Sequence, residues 1–124
     1  MTNSAYLELE TRHRRVALLG ETSAILHWDT AAIMPDGAAL ARAEQLAELQ
    51  AVIHGLKTAS ELGDLIGEAE AQAGNLDDWQ RANLSEMSRQ WTKAAAVPED
   101  LVVALSRACS AGEAAWRSAR PAAG

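Results

Sequence analysis

Apolar positions over the first thirty residues recur at helical spacing and then spread around the whole helix. At about 100° per residue, Tyr6, His13, Ala17, Gly20, Ala24, Trp28 and Ala31 share one face. Leu18, Leu19, Ile25, Leu26 and Ile33 cover the other faces. The pattern predicts one long helix beginning at Asn3 or Ser4, either of which can cap the first free amides, and reaching about Ile33. A helix that is apolar nearly all round belongs at the centre of its fold, and the small residues Ala17, Gly20 and Ala24 would let a neighbour approach closely. Met34-Pro35-Asp36-Gly37 ends it. Pro35 disfavours helical geometry at Met34, and Pro-Asp-Gly carries turn chemistry.

A second helix is predicted from about Ala38 to Lys57. Leu46, Leu49, Ile53 and Leu56 repeat at spacings of three, four and three, which is a core stripe. Arg42 projects onto that stripe, and an arginine there is seldom buried without a partner. Helices joined by a short turn pack antiparallel, which makes Asp29 the nearest counter-charge. The expectation is a partly buried Asp29–Arg42 pair that locks the hairpin.

Three further helices follow. Ser60 is a candidate N-cap for a helix over about Glu61 to Ala73, with Gly74 as its C-terminal stop. The next runs from near Asn75 to about Ala95, with Leu76, Trp79, Leu84, Met87 and Trp91 on its apolar side. Pro98 suits the first turn of a fifth helix, where Glu99 and Asp100 favour the positive dipole end. Leu101, Leu105, Ala108, Gly112 and Trp116 make its predicted core stripe, and residues 120–124 read as a frayed tail. No strand and no internal repeat is predicted. The fold class is all-α: about five antiparallel helices, bundle-like, led by the hairpin of the first two, in a single domain over residues 1–119.

Composition agrees. Apolar residues make up 48% of the 124-residue chain, enough to build a core. Ala, Leu, Glu, Gln and Arg, all strong helix formers, dominate, and β-branched residues are sparse. The charge balance is 11 basic against 17 acidic residues, net −6, with no basic face able to displace counterions from phosphate. That argues against nucleic-acid partners. The one basic cluster, Arg12-His13-Arg14-Arg15, lies beside Glu8 and Glu10 and reads as a solvated helix surface. No apolar run approaches the ~20 residues of a membrane span, and the N-terminus lacks the basic-then-apolar order of a signal peptide. A cytoplasmic location is the default expectation. Cys109 stands alone, which rules out an intramolecular disulfide.

Candidate chemistry is thin. Helical zinc sites need ligands three or four residues apart, as in H-E-x-x-H, but His13 is followed by Arg14, His27 by Trp28 and His54 by Gly55. His13 and His27 share a face, yet lie about 21 Å apart along one helix. His27, Asp29 and His54 across the hairpin form the conceivable metal alternative, set against the plainer reading of hydrogen-bonded histidines beside a core. Asp77-Asp78 and Glu99-Asp100 sit at predicted helix starts, where dipole and capping account for them. Cys109 has no basic neighbour of the kind that activates a thiol. Gly-rich phosphate loops are absent. No catalytic residue, metal or cofactor is assigned.

One run is distinctive: Leu26-His27-Trp28-Asp29, Met34-Pro35, Gly37-Ala38 and Arg42-Ala43-Glu44-Gln45-Leu46. It resembles the N-terminal region of the Taq-type zinc metallocarboxypeptidases. The resemblance continues through Trp79-Gln80-Arg81-Ala82-Asn83-Leu84, Ala96-Val97-Pro98 before Leu101, and Ala115-Trp116 with Ala119-Arg120, spanning nearly the whole chain. It implies a helical fold, and descent from dimeric, several-fold longer peptidases that remove C-terminal residues one at a time. Their N-terminal helices form a cap beside the substrate groove, and their zinc motif lies far downstream. Asp29 and Arg42 match structural positions of the family pattern. No catalytic or zinc-binding role carries onto a residue of this chain.

The function expected from the sequence is that of a carboxypeptidase-like helical domain without zinc or catalytic motifs. It would bind a peptide, a full-length carboxypeptidase relative or a second copy of itself as a homodimer. The alternative is the N-terminal part of a zinc metallocarboxypeptidase whose catalytic portion is missing or encoded separately.

Overall fold

A computed structural model describes residues 2–123. Five α-helices follow one another: α1 Ser4–Ala32, α2 Ala39–Thr58, α3 Ser60–Ala71, α4 Asp78–Ala95 and α5 Glu99–Ala123. Short 3-10 helices lie at Asp36–Ala38 and Ala73–Asn75, and no strand occurs among the described residues. The protein is all-α. It divides into two compact units, one made of the chain up to Ala17 with His54–Val97, the other of Leu18–Ile53 with the chain from Pro98 onward.

The first unit is built around Tyr6, Leu9, Leu62, Ile66, Leu84 and Met87, all buried. Asn3, itself buried, starts α1: its Oδ1 accepts from the Tyr6 amide at 3.1 Å, as an N-cap does. Its side-chain amide donates to the Ala69 carbonyl at 3.0 Å and the Gln72 carbonyl at 3.3 Å. One side chain thus caps one helix and adds a second donor to carbonyls at the end of another.

Here several local expectations are corrected. Ser60 is the first residue of α3, not its cap; Ala59 holds that position without a side-chain bond. Gly74 is no left-handed stop, since it lies in the 3-10 turn and no glycine among the described residues has positive φ. Burial of Leu76 draws the chain onward, and the Ala73 carbonyl in that turn accepts from the Leu76 amide and from Arg81 Nε, each at 3.0 Å. α4 therefore begins later than its apolar pattern suggests. Asp77 Oδ1 accepts from the Gln80 amide at 2.8 Å, and Gln80 Oε1 accepts from the Asp77 amide at 3.0 Å. This reciprocal box fixes the start and leaves Trp79 exposed.

The second unit contains the C-terminal half of α1, most of α2 and all of α5. On α2, Leu46, Ala47 and Ile53 are buried, with Arg42 and Leu49 half-buried along the predicted stripe. On this part of α1 the buried positions are Ser23 and Thr30, while Ile25 and Trp28, and Ile33 just beyond the helix, are exposed. The stripe predicted as the core face of the fifth helix is surface: Leu101, Leu105 and Trp116 are 54%, 62% and 65% exposed. Its half-buried positions are instead Val102, Val103, Ser106, Ser110, Ala114 and Arg117. Small side chains allow a helix to pack closely on that face, and periodicity alone ranks the bulkier stripe first.

Candidate functional site

The turn between α1 and α2 is the most highly bonded part of the second unit. Arg42 Nη1 donates to Asp29 Oδ2 at 2.7 Å and to the Leu26 carbonyl at 3.1 Å, while its Nε donates to Gln45 Oε1 at 3.1 Å. Thr30 Oγ1 also donates to the Leu26 carbonyl, at 2.9 Å. A turn further from the loop, Gln50 Nε2 donates to Ser23 Oγ at 3.0 Å. On α5, Arg107 forms a two-pronged pair with Glu44, at 3.1 and 2.9 Å. The structure thus brings Asp29 and Arg42 together, and their roles are geometric.

The residues considered as metal ligands have different surroundings. His27 is exposed, His54 is half-buried, and the Asp29 carboxylate already accepts from Arg42. Among the described residues no group of three or more His, Cys, Asp or Glu side chains could hold a metal ion. Cys109 is exposed.

A cleft of about 660 Å3 opens in the second unit, lined by Thr30 and Ala31 of α1 and by Glu113, Trp116, Arg117, Arg120 and Pro121 of α5. The α5 residues fall at i, i+3, i+4, i+7 and i+8, a single helix face. Arg117 Nη1 is shut off from solvent and has no hydrogen-bond partner among the described residues. A hollow of about 470 Å3 in the first unit also holds two arginines, but both are committed. Arg81 bonds Ala73 and Asp78, and Arg89 bonds Glu86 through two nitrogens. Hydrogen bonds from Arg89 and then Gln90 hold the Glu86 carboxyl down at about 2. Burial raises the Tyr6 phenol above its usual value; the Asn83 amide, donating to its oxygen at 3.0 Å, opposes this.

Residues 8–124 match the sequence model of the carboxypeptidase Taq (M32) metallopeptidases. The chain belongs to this family. It is 31% identical over 120 residues to thermostable carboxypeptidase 1 of Thermus thermophilus, covering 95% of this chain and 24% of that protein. To thermostable carboxypeptidase 1 of Pyrococcus furiosus it is 25% identical over 118 residues, covering 95% and 23%. The BsuCP crystal structure superimposes with a TM-score of 0.89 at 21% identity, over 95% of this chain and 24% of that one. The chain therefore spans about a quarter of the length of the curated relatives it matches, and corresponds to an N-terminal region of the family. The family is one of zinc metallopeptidases, but the described residues do not fit a metal, so no zinc-dependent step is assigned to them.

Periodicity does not reveal the Arg117 cleft: Glu113, Trp116-Arg117 and Arg120-Pro121 share one helical face, but the same periodicity places Trp116 in the core.

Proposed function

We propose that this member of the carboxypeptidase Taq family is a non-catalytic docking module, which binds polypeptide through the second unit and contributes no residue to zinc chemistry. The supporting observation is the exposure of Trp28, Ile33, Leu40, Leu101, Leu105 and Trp116 within that one unit, each more than half open to solvent. So many large apolar side chains on one small unit mark a surface that another polypeptide covers. The occupant is the remainder of a Taq-type carboxypeptidase, because the same fold occurs within chains of which it makes up 24%. Without that body, two copies cover each other's exposed side chains as a homodimer.

The test combines activity and mass. The 124-residue chain alone releases no C-terminal residue from a blocked dipeptide, with or without added zinc. Light scattering at micromolar concentration gives the mass of a dimer. Adding a Taq-type carboxypeptidase polypeptide deleted of its matching region converts that dimer to a one-to-one complex. A monomer that ignores the deleted carboxypeptidase, or zinc-dependent turnover by the chain alone, overturns the proposal.

A further inference from the structure

The cleft at the C-terminal ends of α1 and α5 is lined by two arginines, Arg117 and Arg120, that enter no ion pair among the described residues. Arg117 Nη1 is inaccessible to solvent and lacks an acceptor among the described residues. A buried guanidinium N–H without a partner is costly, whereas one donating to an anion is among the stronger hydrogen bonds in proteins. The nearby acid on α1 cannot serve, since Asp29 is held by Arg42 at 2.7 Å. Glu113 lies one turn from Arg117 on the same face, yet none of the ion pairs among the described residues involves Arg117 or Arg120. Among the described residues the cleft therefore carries two guanidiniums in no ion pair against one carboxylate, with the exposed indole of Trp116 beside them.

Donors that suit a carboxylate and an aromatic wall beside them together match a carboxylate-bearing stretch of polypeptide. The volume, about 660 Å3, lies within the roughly 300–1,000 Å3 typical of ligand pockets.

From this geometry we infer that the cleft is a carboxylate-binding site for polypeptide, in which Arg117 and Arg120 hold the carboxylate and Trp116 packs against the adjoining residue. The inference rests on the docking role proposed above and supplies its recognition chemistry. The carboxylate comes from an acidic side chain or from a free C-terminus, two sources that differ in covalent context but not in chemistry.

The experiment is an NMR titration of the 15N-labelled chain, following the Trp116 indole N–H, which is assigned by Trp116→Phe. Three probes are used: acetyl-Leu-Ala-Glu-amide, acetyl-Leu-Ala-Leu with a free carboxylate, and acetyl-Leu-Ala-Leu-amide. A saturable shift is expected with at least one carboxylate-bearing peptide and not with the neutral one, and which of them binds identifies the source. Arg117→Gln weakens binding about tenfold or more, and Glu113→Gln tightens it. Equal binding of the neutral peptide, no saturable shift with any probe, or unchanged affinity in a folded Arg117→Gln protein overturns the inference. Should Arg117→Gln lose its helical circular dichroism, Arg120→Gln replaces it with the same expected and overturning results. Failure here beside an intact complex by light scattering rejects the cleft alone. Peptide binding by a chain that stays monomeric and ignores the carboxypeptidase body rejects the docking role alone.

Discussion

Arg42 reaches from α2 to Asp29 on α1, Nη1 to Oδ2 at 2.7 Å, and the same nitrogen donates to the Leu26 carbonyl at 3.1 Å. Both side chains are largely covered, 17% and 27% exposed. Removing the arginine leaves the partly covered Asp29 carboxylate without its cationic partner and takes one of the two side-chain donors from the Leu26 carbonyl. Arg42→Ala is expected to cost about 1–3 kcal/mol, read as a lower urea midpoint. Asp29→Asn should cost less, because the amide oxygen still accepts. A double-mutant cycle should give a coupling of about 1 kcal/mol, and additive effects would reject the pair as a lock on the hairpin.

Gly63 faces the indole of Trp91 so closely that an added Cβ would lie 2.8 Å from the ring. That ring is anchored by its Nε1, which donates to the Ala59 carbonyl at 3.2 Å, so it does not swing aside freely. Alanine gains about 1 kcal/mol of helix propensity, whereas overpacking costs about 1–3 kcal/mol. Gly63→Ala should therefore be net destabilising, and its penalty should shrink in a Trp91→Leu background. Thermal unfolding of the four proteins checks this. A stabilised Gly63→Ala single variant would mean that the indole yields.

Asn3 serves two helices, capping α1 through Oδ1 and donating to the Ala69 and Gln72 carbonyls through its amide. Asn3→Asp keeps the cap but loses the amide donor and places a charge beside two carbonyls. Asn3→Ser retains a weaker cap. Asn3→Ala should cost about 1–2 kcal/mol, and Asn3→Asp is expected to be at least as damaging despite preserving the cap. Equal stability of wild type and Asn3→Asp, in chemical denaturation at neutral pH, would show that the carbonyl bonds contribute nothing.

Two groups set opposite pH limits. Glu86 titrates at about 2 through its bonds from Arg89 and Gln90, below its ordinary 4.5. Its contribution is present above about 4.5 and fades as pH falls from there through 2. Because the pair is exposed, the effect on stability is small, and the direct check is the Glu86 carboxyl chemical shift. Arg89→Ala should return it toward the ordinary value. Tyr6 lies the other way: burial raises its pKa above 10.0, so its contribution holds below 10 and is lost as pH rises further. Tyrosinate absorbance appearing at the ordinary phenol pH in the folded protein would contradict that burial.

By itself the sequence determined the helices, the break at Pro35-Asp36-Gly37, the α2 stripe of Leu46, Leu49 and Ile53, and the family resemblance. These are local properties: propensity, periodicity and turn chemistry act over a few residues and can be read without knowing what packs where. Only the tertiary structure decided which face of an ambivalent helix is buried. α1 is apolar on several sides, and in its second half Ser23 and Thr30, not Trp28, are the buried positions. α5 has two usable faces, and the one bearing Val102, Ser106, Ser110 and Ala114 is the half-buried one. Burial depends on the partner surface as well as on the amount of apolar area offered. Moving Leu101, Leu105 and Trp116 to the surface, and Arg117 into a cleft, was therefore beyond any periodic count.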